Sequence, residues 1–178
     1  MGFWYATVGR ENPGNHSDFI HWWIQAYGNM YSLYRYRTTK KESVLTTFIE
    51  GAESWNKYFI DREWGGTWLS VNTDGTVRDP SKANRFKSSY HSLEHSLLNF
   101  IYLQAWVEYE PFELYFSIEA QPEPGILFPV PVEDPGVVIE QVKFNDEIRN
   151  DVTRHDDNAL VLPAGEKILV NVTLGRDR

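Results

Sequence analysis

An α+β chain is what this sequence predicts, helical over residues 1–110 with a β-hairpin inserted between helices, and β-rich over residues 111–178. Three observations carry that expectation. Apolar residues recur at three- and four-residue steps in three stretches before Tyr109, the spacing of a helix with one buried face. Asp74-Gly75 stands between short alternating runs, which is a hairpin signal. Beyond Pro111 the chain turns to β-branched and aromatic runs punctuated by Pro and Gly.

Met1 to about His16 reads as loop, with Asn12-Pro13-Gly14 as a turn. Ser17 or Asp18 is a helix N-cap, and Phe19 to about Arg37 predicts a helix whose apolar face is Trp22, Trp23, Ala26, Tyr27, Met30, Leu33 and Tyr34. Thr38-Thr39-Lys40-Lys41 breaks the pattern. A second helix follows to about Ile60, burying Val44, Leu45, Phe48, Ile49, Ala52, Trp55 and Phe59, and so short a break predicts an antiparallel pair. Gly65-Gly66 and the alternating Thr67-Trp68-Leu69-Ser70-Val71 open the hairpin, and Ser81 to Lys87 is polar, basic loop. A third helix is expected from about Ser89 to Val107, with Leu93, Leu97, Leu98, Ile101, Tyr102 and Ala105 inward.

The boundary falls near Tyr109 to Pro111. Beyond it, Glu113 to Ala120, Ile126 to Val132, Val137 to Phe144 and Lys167 to Leu174 read as strands of a small antiparallel sheet or sandwich. They are separated by Pro122-Glu123-Pro124-Gly125, Asp134-Pro135-Gly136 and Pro163-Ala164-Gly165.

Composition narrows the function classes. With 17 Lys+Arg against 25 Asp+Glu, and no basic stripe, nucleic acid and anionic membrane surfaces are not expected partners. The absence of cysteine excludes disulfides, thiolate metal sites and a cysteine nucleophile. The start lacks the charged and apolar regions of a signal peptide and no segment approaches a membrane span, so a cytoplasmic protein is expected. Aromatic content of 15% supplies either core mass or flat apolar faces on which pyranose rings stack.

Five histidines are available for chemistry: His16, His21, His91, His95 and His155. His91 and His95 stand four apart and share a helix face. The run His91-Ser92-Leu93-Glu94-His95 resembles a zincin helix, but its glutamate is at the fourth position instead of the second and no third ligand stands out, so no metal and no cofactor is assigned. Acid–base use is the alternative: a histidine in the first turn of a helix feels the positive end of the macrodipole, which favours the neutral, proton-accepting ring. Taken alone, His91 reads equally as a capping or core-edge histidine. Trp22 and Trp23 are neighbours on one helix and point about 100° apart, so one can be core while the other lines a cavity.

The ordered set Trp22-Trp23-x-Gln25-Ala26, then Tyr58-Phe59-Ile60-Asp61, then Glu63-x-Gly65-Gly66-x-Trp68 with Val71 and Asp74-Gly75, then Lys87-x-x-Tyr90-His91, resembles the later part of the N-acylglucosamine 2-epimerase family. The resemblance runs from about His21 to Val107. It implies the fold of part of an (α/α)6-type helical barrel, and an isomerase that moves a proton beside the carbonyl of an opened sugar, by 2-epimerisation or aldose–ketose isomerisation. His91 maps onto the catalytic histidine of the Tyr-His motif. Trp22, Trp23 and Trp68 are implied against the sugar, with Gln25, Lys87, Glu94 and His95 as neighbouring polar groups. Glu94 departs from the arginine common three residues after that histidine, and an acid there holds an imidazolium or binds sugar hydroxyls.

A half-barrel leaves apolar helix faces without partners. The resemblance therefore implies self-association or a missing N-terminal half that carries a second histidine, and an isolated part that lacks some of the catalytic equipment. The competing expectation is a non-catalytic carbohydrate-binding or scaffold protein that retains the aromatic pocket.

Overall fold

The computed structural model describes residues 1–177, which divide into two compact units, Met1–Trp106 and the chain from Val107 onward. The first unit contains β1 (Phe19–His21), α1 (Trp22–Thr39), α2 (Glu42–Ser54), β2 (Ser70–Asn72), β3 (Val77–Asp79) and α3 (Tyr90–Leu103). One π-helical turn extends α2 over Trp55–Phe59, and another extends α3 over Gln104–Glu108.

Phe19 to His21 is strand, not the first turn of the helix. Its residues pair antiparallel with β2 in the register Phe19↔Asn72, Ile20↔Val71 and His21↔Ser70, and α1 starts one residue later. Periodicity alone does not separate these alternatives, because Ile20, Trp22 and Ala26 are all buried whichever way residues 19–21 run. α1 ends at Lys40 in the left-handed region, φ 50°, where its N–H donates to the Tyr36 carbonyl at 2.8 Å and stops the helix. α2 then folds back along α1, and α3 packs on the same helix. α1 therefore lies at the centre of the unit.

The core joins the strand-to-helix corner to α2 through Ile20, Trp22, Ala26, Trp55, Phe59 and Val71, with Phe3 and Tyr58 against it. A polar thread runs beside this core. The fully buried Gln25 side chain accepts from Trp4 N at 3.0 Å and donates to the carbonyls of Gly2 at 2.9 Å and Gly51 at 3.0 Å. It thus ties the N-terminal segment, α1 and α2 with one amide. Gly51 is needed where it stands, since a Cβ there would collide with Asn29 Oδ1 between the two helices.

The second unit holds two antiparallel sheets. One has the order β4-β10-β6-β7, with β4 (Phe112–Ile118), β6 (Val137–Phe144), β7 (Glu147–Ile148) and β10 (Ile168–Arg176). The other has the order β5-β9-β8, with β5 (Gly125–Leu127), β8 (Thr153–Arg154) and β9 (Ala159–Leu162). Alternation places Val137, Ile139, Val142 and Phe144 of β6 inward, along with Ile168, Val170, Val172 and Leu174 of β10. Two of these strands, β7 and β8, lie where the sequence shows no strand-length apolar run, and β9 lies on the apolar Ala159-Leu160-Val161-Leu162, outside the four segments expected as strands.

The (α/α)6 barrel implied by the resemblance is not what this chain forms. Among the described residues there are three α-helices against ten strands in three antiparallel sheets. A double ring of helices needs a repeated succession of helix pairs, whereas here the helical period ends by Glu108 and the chain continues with two-residue alternation. The helices are also interrupted by a three-stranded sheet, β1-β2-β3, which covers one end of α1.

The β2–β3 turn gives a test of this packing. Gly75 has φ +88°, and a Cβ there would meet the Tyr58 ring. Gly75→Ala is expected to lower stability by about 1–3 kcal/mol in denaturant unfolding, through backbone strain and the ring contact. A neutral effect would show that the hairpin does not pack on Tyr58.

Candidate active site

The junction of β1 with α1 and the start of α3 form the walls of one cleft of about 820 Å³, within the range of small-molecule sites. His21, Trp22, Trp23 and Tyr27 line it from β1 and α1. Leu69 comes from the run into β2, Asn84 and Phe86 from the loop before α3, and His91 from the first turn of α3.

Each residue is placed by a local device. Trp22 N donates to the Leu69 carbonyl at 3.0 Å, so the helix starts while still bonded to the segment that enters β2. The Asn84 side chain accepts from Phe86 N at 2.8 Å and Lys87 N at 3.0 Å, which folds the loop tightly enough to carry Asn84 and Phe86 to the cleft wall. Lys87 is 3% exposed, and its Nζ donates to the Thr67 carbonyl at 2.7 Å and the Lys82 carbonyl at 3.0 Å. The same ammonium lies 5.4 Å from the Trp22 ring centroid. Burial lowers the Lys87 pKa, and the Asp79 carboxylate opposes that shift.

His91 is half-buried, with ring contacts to Tyr27 at 5.4 Å, Trp22 at 6.0 Å and Tyr90 at 5.1 Å between centroids. Its Nδ1 stands 3.4 Å from Glu94 Oε2. A carboxylate on Nδ1 favours the tautomer with the proton there, leaving the Nε2 lone pair as the basic site. Glu94 also accepts from Tyr90 Oη at 3.4 Å and raises the pKa of Tyr27, second to burial. It lines a shallower neighbouring groove with Tyr27, Tyr31, Tyr34 and Tyr102.

Of the residues singled out from sequence, Trp22, Trp23 and His91 come together in the cleft, and Glu94 stands behind His91. Trp22 is buried and forms the floor, while Trp23 is 41% exposed and free to turn a face to a ligand. Gln25 and His95 are interior groups. His95 Nε2 lies 3.0 Å from Asn29 Nδ2, its ring packs 4.3 Å from Trp55, and its Nδ1 is buried without a hydrogen bond. Lys87 sits beneath the floor, and Trp68 packs under Lys82 without lining the cleft. Among the described residues no group of three or more His, Asp or Glu side chains is placed to hold a metal ion.

Tyr27, Leu69, Asn84 and Phe86 line the cleft without a site role expected from sequence, as does His21, which the sequence offers only as one of five histidines. Tyr27 had a legible signal, because it follows Trp23 by four residues and shares its helix face. His21 did not, since placing it inside a helix hides that it ends a strand. Burial lowers the His21 pKa as the largest influence, Arg78 adds to the shift, and the Leu69 carbonyl and Asp79 oppose it.

No family model and no curated protein matches this sequence. Solved structures do. The chain is similar to the cellobiose 2-epimerase of Spirochaeta thermophila, with TM-score 0.52 and 19% identity over 58% of this chain and 26% of that one. It is also similar to the cellobiose 2-epimerase of Bacillus thermoamylovorans, with TM-score 0.46 and 27% identity over 51% of this chain and 23% of that one. A D-mannose isomerase matches with TM-score 0.42 and 22% identity over 51% of this chain and 22% of its own. The matched region spans about a quarter of the length of these proteins. By name they are sugar epimerases and isomerases, a broader group than the N-acylglucosamine 2-epimerases that the sequence motifs resemble.

No helix of the described residues is long and apolar enough to cross a membrane.

His95 makes the stability of the first unit pH-dependent. Burial lowers its pKa from 6.5 to about 4, so between those values the unfolded chain binds a proton that the folded chain refuses. The contribution is complete above about pH 6.5 and is lost as pH falls toward 4, on the order of 3 kcal/mol in all. Chemical unfolding at pH 7 and pH 4.5 is expected to show a clearly smaller loss for His95→Gln than for the wild type. Equal losses would mean that His95 is accessible to protons in the folded state.

Proposed function

We propose that the cleft binds a carbohydrate and that His91 transfers a proton at C2 of the opened sugar, as in 2-epimerisation or aldose–ketose isomerisation. The observation that carries this reading is the placement of His91 at the mouth of an aromatic cleft, with Glu94 behind its Nδ1 and Trp22, Trp23 and Tyr27 in front. A base needs a free lone pair facing the substrate and a fixed ring. Glu94 supports the first by holding Nδ1, and the edge contacts with Tyr27 and Tyr90 support the second. Flat apolar rings suit the C–H faces of a pyranose, and the Asn84 amide is a polar group that can meet its hydroxyls.

The motif order around Tyr90-His91 and the fold-level likeness to the Spirochaeta thermophila cellobiose 2-epimerase support the same class of reaction. Fold likeness is an analogy, so the weight rests on the cleft.

Incubation with cellobiose or D-mannose in deuterated water tests the reaction directly. Deuterium is expected at C2 of the sugar by NMR, and His91→Ala is expected to slow its incorporation by about 10²–10⁴-fold. Glu94→Gln is expected to slow it less while leaving sugar binding intact. Binding of either sugar with no exchange in the wild type would favour a non-catalytic carbohydrate-binding protein and would overturn the proton-transfer assignment.

A further inference from the structure

Beside the cleft, α1 and α3 enclose a second, smaller groove of about 230 Å³. Four tyrosines line it, Tyr27, Tyr31, Tyr34 and Tyr102, together with Met30 and a single carboxylate, Glu94. We propose that this groove binds a quaternary ammonium group, with Glu94 as its counter-ion and the tyrosine rings around its methyl groups.

Glu94 is the observation that points to a cation. Its side chain is only 20% exposed, yet among the described residues no lysine or arginine forms an ion pair with it. Its partners are the Tyr90 hydroxyl, which donates at 3.4 Å, and His91 Nδ1 at the same distance, both near the outer limit of hydrogen bonding. A carboxylate so far removed from water is costly unless a cation stands against it. Its charge reaches both walls of the groove. Burial first, then a hydrogen bond to Glu94 and its charge, raise the Tyr27 pKa, and burial, then Tyr34 and Glu94, raise that of Tyr102.

The lining selects the kind of cation. Among the described residues no three acidic or histidine side chains gather to hold a metal ion, and a hard divalent ion needs more oxygens than one carboxylate supplies. A primary ammonium carries three N–H donors and a firmly held hydration shell, and most of this lining is ring and thioether. A quaternary ammonium has no N–H to satisfy, and its spread charge is attracted to the electron-rich faces of aromatic rings. Such a contact already exists at the Tyr34 end, where the Arg37 guanidinium lies 6.0 Å from the Tyr34 ring centroid and 5.2 Å from that of Trp106. Tyr31 is held in turn by Trp4, edge-on at 6.3 Å. The site does not depend on the sugar reading of the cleft, with which it shares only the Tyr27 wall and Glu94.

Titration of the full chain with choline, followed by NMR of the tyrosine ring protons at fixed ionic strength, tests the proposal. Two comparators are titrated alongside: dimethylbutanol, which has the shape of choline without its charge, and ethanolamine, which has the charge with its N–H groups. Choline is expected to bind, and each comparator to bind about tenfold more weakly or worse. Glu94→Gln and Tyr31→Leu are each expected to weaken choline binding by about tenfold or more, and Tyr31→Phe to retain it. Tyr31 is 52% exposed and lines the groove but not the cleft, so its variants decide the matter even if the Glu94 variant fails to fold. No response to choline, equal binding of the uncharged alcohol, tighter binding of ethanolamine, or unchanged choline binding by Tyr31→Leu overturns the proposal.

Discussion

The Trp22 N–H donates to the Leu69 carbonyl at 3.0 Å, and the geometry of the first unit depends on that junction. It lets α1 start where β1 is still paired to β2, so a strand and a helix meet at a corner with no intervening loop. The corner buries Ile20 and Trp22 against Trp55, Phe59 and Val71. It also turns His21 and Trp23 to the outer side, where α3 brings His91 to meet them. A corner held by a strand pairing and a core is stiffer than a loop, which suits a site whose groups must stay within a few tenths of an ångström of a productive arrangement.

The interior of the first unit holds several polar side chains. Gln25, Asn29, Lys87, His95 and Asn99 are all buried within the first unit. Left unpaired, each such group costs about 1–3 kcal/mol. Gln25 is well bonded, linking Trp4, Gly2 and Gly51, and Lys87 finds three oxygens in place of a carboxylate. The Lys87 ammonium lies 5.4 Å from the Trp22 ring centroid, a cation–π contact on the buried side of the cleft.

How far the sequence reveals this depends on what each element relies on. α1, α2 and α3 are legible because their apolar residues repeat with the helix period over three or more turns. The β2–β3 hairpin is legible from Asp74-Gly75, whose glycine takes the φ of +88° that the turn requires. The barrel was an extrapolation from short motifs. Motifs report a local surface, whereas a barrel needs a repeated succession of helix pairs, and the described residues supply three α-helices and ten strands. The site divides in the same way. His91 was visible through its motif, but Gln25 and His95 were assigned to the ligand because helix position alone does not say which face is interior. His21 was hidden by a difference of three residues in where the helix starts, Trp22 instead of Phe19.

The central claim is that a sugar ring occupies the corner between α1 and α3. A crystal structure with cellobiose bound tests it most directly. The account predicts the reducing-end unit in the cleft, one face against Trp22 or Trp23, and its C2 within reach of the His91 imidazole. A sugar bound in the tyrosine groove beside Glu94, or on the β unit, with the cleft empty at saturating concentration, would contradict it.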